Sequence, residues 1–469
     1  MTGRGRASNE DLAAALLEAA AAEGATAAEA YIKESVSCEA VAPTRQAGRS
    51  NERGIALRFF DGDGRSSLAA TTLPGDDGLA SDLSDHDCRA DADHAIASIL
   101  ARRASAAAAF SSPSPARRMP GAWKADGRGL GLFDPDIERL PQDLLETADQ
   151  IRSRASEGGT SLEAHVRLVA TTSSVHLANS AGFSGSYRQT LARLDLTLEG
   201  PAEGTSASAR VVRAARSLRG LAADSAAEEA LALMEERLAP KLPPSGIHEI
   251  VLAPRAAAEL IAAISAWFTQ GAVARSGEGR PIYPSRGERI AAAPLTILDD
   301  GRLPGGVASS PFDGEGVRTR RTAAVERGVV REFLRDLDSG AGGEESTGNG
   351  VRASFREAPG LRPSNFFIKP GAAPPSDLIS SIRQGIRITT LSRIPPLRGP
   401  DTAFAVPFTG RWIEGGRLGA PLGGGYLAGT AREILTEVES VGSDLAFFHR
   451  SGSFGAPSLL IRRAPIRSS

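Results

Sequence analysis

The chain has 469 residues, of which 41% are hydrophobic and 23% charged, enough for two or three buried cores and too apolar for wholesale disorder. Its 54 basic and 56 acidic residues leave a formal charge of −2, which removes any global electrostatic reason to bind nucleic acid. Two cysteines, Cys38 and Cys88, are too few for a disulfide framework and lack the spacing of a thiolate metal site.

The opening "MTGRGRASNEDL" has no apolar signal core, and no run of about eighteen apolar residues reads as a membrane span. The expectation is a cytoplasmic protein with reduced thiols, no membrane and no nucleic-acid partner. Ser8 is an N-cap candidate followed by acids, so "DLAAALLEAAAAEG" reads as a helix ending at Gly24. "EAYIKESVSCEAVAP" reads as a strand, and "RGIALRFFDGDGRSSLAATT" as two strands around an Asp-Gly turn. "ADADHAIASILARRASAAAAF" returns to helix. The Pro/Ser-rich stretch 111–121 marks a first boundary, separating an N-terminal α+β domain, 1–110, from a middle α+β segment, 121–239, that packs with it.

In the middle segment, Leu140, Leu144, Ala148, Ile151 and Ala155 share one helical face. "AHVRLVATTSSVHLANS" and "FSGSYRQTLARLDLTLEG" are strands around a glycine turn. "DSAAEEALALMEERLAP" is a helix with Leu231, Met234 and Leu238 in register. The prolines of 240–246 mark a second boundary. A β-rich C-terminal domain, 246–469, follows, with short Gly- and Pro-punctuated strands and a late helix carrying Ile434, Val438 and Val441. The fold class is α+β.

Several motifs look like chemistry and read better as structure. His248-Glu249 begins like a zincin helix, but Leu252 and Ala253 stand where the second histidine is needed, so "GIHEIVLAP" is a strand. "DGDG", Asp61 to Gly64, lacks the later oxygen ligands of a calcium loop. Ser184 and Ser186 do not fit a nucleophile elbow. "LGGGYLAGT", Leu422 to Thr430, has no βαβ context and reads as a structural loop. The run Arg318, Arg320, Arg321 reads as a solvated or ion-paired surface. Two stretches, 309–322 and 345–352, gather Asp, Glu, Arg, Thr and Asn between glycines, a composition common in binding loops.

Those stretches, "SPFDGEGVRTRRTAAVERGVVREFLRD" and "STGNGVR", resemble the central signature of the TldD/PmbA family, also called modulators of DNA gyrase. "LFDPDIERLPQDLLETADQI", "LANSAGFSGSYRQT", "RPSNFFIKPG" and "GRWIEGGRLGAP" resemble further family segments in the same order. The resemblance implies a two-subunit metallopeptidase. TldD-type chains carry His-Glu-x-x-x-His and a late Cys for zinc; TldE/PmbA-type chains lack both. In "PRAAAELIAAISAWFTQGAVARSGE", Leu260, Ile261, Ile264, Trp267 and Phe268 form an apolar stripe without histidine, and no Cys follows Cys88.

The resemblance therefore implies a TldE/PmbA-like subunit with no catalytic, metal or cofactor residues of its own. Zinc is expected in a TldD-like partner, and an extended peptide or unfolded protein is the expected substrate. A homodimer is compatible with the partner's absence. Arg320, Thr347, Asn349 and Arg352 are candidates to face partner or peptide, with turn stabilisation as the alternative role for each. Two other functions stay open: a regulatory module binding gyrase or another protein, and an autonomous peptidase with a metal site built from His165, His176 and His449. Peptide maturation and general peptide clearance are not separable in sequence.

Overall fold

The computed structural model describes residues 8–74, 86–109, 111, 119–139, 144–156, 162–202, 205–238, 240–270, 283–339, 344–449 and 452–468. In the first half, α1 (Asn9–Ala22) leads into β1 (Ala27–Ala42), β2 (Gln46–Phe60), β3 (Ser66–Pro74) and α2 (His86–Ala108). Then come α3 (Pro135–Arg139), α4 (Leu144–Ser156), β4 (Glu163–Asn179), β5 (Ser184–Ala202), β6 (Thr205–Ala215) and α5 (Ala223–Leu238). The expected caps are present. Ser8 and Asp11 form a reciprocal capping box on α1, and Gly24 follows with φ 88°.

All six strands form one antiparallel sheet in the order β3-β2-β1-β4-β5-β6. The segments on either side of 111–121 thus share a sheet, joined where β1 pairs with β4 from Glu29↔Asn179 to Ala42↔Val166. Strand period decides what each face meets. Ala30 and Ile32 of β1, with Ile55 and Leu57 of β2, pack under α1 and α2. Ala40 and Ala42, on the same face of β1, join Leu168 and Leu196 under α4 and α5. Helices α1, α2, α4 and α5 therefore cover one face, with Ile137 of the short α3 joining the second cluster. The opposite face presents Tyr31, Val175, Leu177 and Phe183 to Phe312 and Phe355 from the C-terminal half.

On α4, Leu144, Ala148, Ile151 and Ala155 are buried as expected, while Leu140 and residues 112–118 lie outside the described residues. On α5 the buried stripe runs through Ala226, Ala230, Leu233 and Met234, leaving Leu231 and Leu238 at its margin.

The second half contains β7 (Gly246–Leu252), α6 (Pro254–Ile264), α7 (Ala266–Gln270), β8 (Ile297–Asp300), β9 (Arg321–Glu326), β10 (Val329–Val330) and β11 (Gly350–Val351). It continues with β12 (Gly360–Leu361), β13 (Asn365–Ile368), α8 (Pro375–Ser380), β14 (Gln384–Leu391), β15 (Ala403–Glu414) and β16 (Arg417–Thr430). Then come α9 (Ala431–Thr436), β17 (Val438–Val441), β18 (Ala446–Phe448), β19 (Ser453–Ala456) and β20 (Leu459–Ser468). One sheet runs β16-β15-β14-β7-β20-β17 and closes on itself through an additional β16–β20 pairing. Another runs β10-β9-β8-β13-β19-β18. The helix α6 is wedged between them, touching β14 on one side and β13, β18 and β19 on the other.

Two sequence expectations fail here. The glycine cluster 422–430 is strand, not loop: β16 pairs with β15 through Leu422 and Gly425. A Cβ on Gly423 or Gly425 would strike Pro240 or Pro243, so these glycines let the proline-rich link lie against the strand. The late helix stops at Thr436, and Val438 and Val441 belong to β17, opposite Ile461 and Leu459 of β20. Both valines are β-branched, and pairing with a buried strand outweighs the helical spacing that first suggested them.

Candidate functional site

The helix after β7 is where the family resemblance would place a zinc motif. In α6 and α7, Leu260, Ile261, Ile264, Trp267 and Phe268 are all fully buried. The Trp267 indole donates to the Leu397 carbonyl at 2.7 Å, and Phe268 packs on Phe366. Ser265 interrupts the helix, its hydroxyl donating back to the Ala262 carbonyl at 2.8 Å. His248 is a strand residue on β7, bonded to the Pro244 carbonyl at 3.0 Å and set edge-on to Trp412. Among the described residues, no three His, Cys, Asp or Glu side chains converge as a metal site. A zinc ion does not fit this helix pair: the five buried side chains carry no donor, and Glu259 is the one His, Cys, Asp or Glu on α6 and α7, short of the usual three protein ligands.

The histidines considered for a scattered site do not meet. His165 and His176 lie on β4, eleven residues apart, which is roughly 36 Å of extended strand, and the odd spacing puts them on opposite faces. Of the two cysteines, Cys38 is a free, half-buried thiol, and the side chain of Cys88 is outside the described residues.

The two polar stretches turn inward instead of outward. Asp313 folds its own loop, accepting from the Glu315 and Val317 amides at 2.9 and 3.0 Å, and accepts from the Gly350 amide at 2.9 Å, so the two stretches are tied together. Burial pushes the Asp313 carboxyl up, helped by the nearby Glu29 charge. Thr347 accepts from the Arg335 amide at 2.7 Å and donates to Asn349 at 2.6 Å. Asn349 donates to Asp299 at 2.8 Å, and Ser364 adds two more donors to the same carboxylate. Burial nonetheless pushes Asp299 up to about 7, against those hydrogen bonds.

Arg352 crosses to the N-terminal sheet. It donates to Glu29 at 2.9 Å with both side chains almost wholly buried, caps the Gly314 carbonyl at 2.8 Å, and lies over the Tyr31 ring. Of the four residues expected to face partner or peptide, Thr347, Asn349 and Arg352 are therefore interior, and only Arg320 is exposed. Thr347 and Asn349 hydrogen-bond within and beside their own loop, and Arg352 ties that loop to the N-terminal sheet.

Arg216 was not singled out in the sequence. Its guanidinium is buried and donates to the carbonyls of Gly306, Val307 and Ser309, fastening the C-terminal loop 306–309 to the end of the first sheet. In sequence it is one of four arginines in "RVVRAARSLRG", with nothing local to mark it.

Beside this joint lies an open cleft of about 570 Å³ between the two halves. The end strand β6, with neighbouring β5 and α5, forms one wall; α6, β15 and the chain after β14 form the other. Five arginines line it: Arg193, Arg210, Arg237, Arg255 and Arg393. They come from five separate stretches of sequence, so no linear motif announces them. No helix among the described residues is long and apolar enough to cross a membrane.

The profile of the PmbA/TldA metallopeptidase central domain matches residues 131–234, and that of the C-terminal domain matches 245–468, together well over half the chain. A metalloprotease of Methanothermobacter thermautotrophicus is 30% identical over 242 residues, covering 48% of this chain and 51% of the relative. Matches to curated relatives span only about a third to a little over half of those proteins' lengths. The crystal structure of TldE from Thermococcus kodakarensis superposes with a TM-score of 0.83 at 20% identity, over 97% of this chain and 100% of that one. A structure described as a modulator of DNA gyrase from Bacteroides thetaiotaomicron gives 0.79 at 19% identity, over 98% and 99%. At these identities the superpositions speak for the fold, and the matched profiles speak for kinship: the chain belongs to the TldD/PmbA family.

Proposed function

We propose that this chain is a non-catalytic, TldE/PmbA-like subunit of a cytoplasmic TldD/TldE-type metallopeptidase complex. The observation that carries this reading is the helix pair α6–α7. A zinc peptidase needs typically three protein ligands and an open position, and here the corresponding helix pair has no histidine or cysteine, buries Leu, Ile, Trp and Phe, and carries the single carboxylate Glu259. Zinc and the hydrolytic water then belong to a TldD-like partner. The fold shared with TldE supports the assignment of this chain to the other role.

Its contribution is geometric: completing the chamber over the partner's zinc and holding an extended peptide. The end strand β6 lines an open cleft, and backbone addition to such an edge takes up unfolded peptide without strict sequence demands. The test is co-expression with a family chain carrying His-Glu-x-x-x-His, followed by cleavage of an unfolded protein. Cleavage is expected from the pair and from neither chain alone, with zinc in the partner. Tight binding of about one zinc by this chain alone, with peptidase activity lost on chelation, would sink the reading.

A further inference from the structure

We propose that the arginine cleft between β6 and β15 recognises the side-chain carboxylates of an acidic peptide segment. The choice of a peptide rests on the peptide-holding role above; the site itself rests on its own geometry. Five guanidinium groups line the cleft, and Glu259 is the one lining carboxylate among the described residues. The cations are unevenly neutralised. Arg210 is held by Asp195. Arg255 takes Glu229 at 2.6 Å, but the same carboxylate also serves Arg213 at 2.5 Å.

Arg193, Arg237 and Arg393 have no carboxylate partner among the described residues. Arg193 reaches the His449 carbonyl at 3.4 Å, and Arg237 donates to the Ser208 carbonyl on the edge of β6. Two neighbours register the surplus of positive charge. His449 is held near 4 by burial and by the adjacent Arg193, Arg213 and Arg216. Burial, then the nearby Arg255, push Arg237 below the usual arginine range against the opposing pull of Glu236. A carboxylate supplies the counter-charge and matches the donor fork of a guanidinium.

The shape selects among anions. About 570 Å³ falls in the range of sites for sizeable ligands, many times the volume of one small ion. Apolar side chains, Val212, Leu391, Pro407, Phe408 and Phe448, line the cleft together with the cations. That mixture suits a peptide whose carboxylates are carried on apolar side-chain methylenes, and offers little to isolated phosphate.

The test is an anisotropy titration of the purified full chain with a labelled peptide alternating Glu and Gly, against its Gln counterpart. The acidic peptide is expected to bind at least tenfold more tightly, with the difference shrinking as salt rises. The double variant R193Q/R393Q is expected to lose that preference, while R103Q/R417Q, which removes the same charge elsewhere, keeps it. Equal binding of the Glu and Gln peptides, or equal weakening by the two double variants, would overturn the proposal. So would displacement of the acidic peptide by inorganic phosphate at constant ionic strength. If R193Q/R393Q unfolds, R393Q alone gives the readout, because Arg393 is exposed. The titration needs no partner chain. Its failure leaves the subunit role standing, and failure of the cleavage assay leaves the cleft standing.

Discussion

Two charged regions join the N-terminal sheet to the C-terminal half, and they treat charge in opposite ways. In the joint around Glu29, Arg58, Glu315 and Arg352, cations and anions alternate, water is excluded, and Arg352 is held by Glu29 and the Gly314 carbonyl. In the cleft around Arg193, Arg237 and Arg393, cations outnumber anions and the site is open. Removing one partner from a closed pair strands a buried charge, whereas removing one cation from a crowded open cleft relieves repulsion. The first region is built to hold the molecule together, and the second has spare binding capacity.

That contrast can be broken most directly at Arg352. Arg352→Ala is expected to destabilise the fold by about 3–5 kcal/mol, because the buried Glu29 loses its hydrogen-bonded partner and keeps only the more distant Arg58, at 3.8 Å; chemical denaturation reads this out. A change under about 1 kcal/mol would mean that water reaches the joint and that it is not closed.

A smaller effect is expected at Asp299. Its carboxyl ionises near 7 in the folded chain but near 4 when unfolded. Between those values the folded state holds a proton that the unfolded state has lost, so stability falls as pH rises through that window. Asp299→Asn should flatten this segment of the stability profile, measured as the unfolding midpoint at successive pH values. An unchanged slope would show that the hydrogen bonds from Asn349 and Ser364 keep the carboxylate ionised throughout.

The smallest effect is expected at Arg393. Arg393→Gln should change stability by no more than about 0.5 kcal/mol, as for an ordinary exposed position. A loss comparable to that of Arg352→Ala would erase the distinction between the two regions.

The parts of the fold legible in sequence are those fixed by neighbours in the chain. Ser8 and Asp11 cap their own helix, Asp61 turns its own hairpin by accepting from the Asp63 and Arg65 amides, and Asn179 folds the "ANSAGF" turn by accepting from Ala181 and Phe183. The misread parts depend on distant partners. Polar composition suggested that Thr347, Asn349 and Arg352 lie on the surface. Their burial is made affordable by Asp299 and Glu29, fifty and more than three hundred residues away. The glycines at 423 and 425 signalled a loop because nothing local reveals that Pro240 and Pro243 press against them. The five cleft arginines come together only through the docking of the two halves.

The one-sided covering of the first sheet has a consequence for how the chain is made. Its strands and its four covering helices all lie before residue 239, so that much can assemble while the rest is still on the ribosome. Its other face, with Tyr31, Val175, Leu177 and Phe183, has only Trp123 and Ala125 against it until Phe312 and Phe355 emerge. The Phe355 ring then rests directly on the bare backbone of Gly54, where any Cβ would collide with it. During synthesis the nascent sheet therefore carries a partly exposed apolar surface that is not fully covered until Phe355, more than a hundred residues after α5 ends. That interval, rather than the finished protein, is where a chaperone has something to hold.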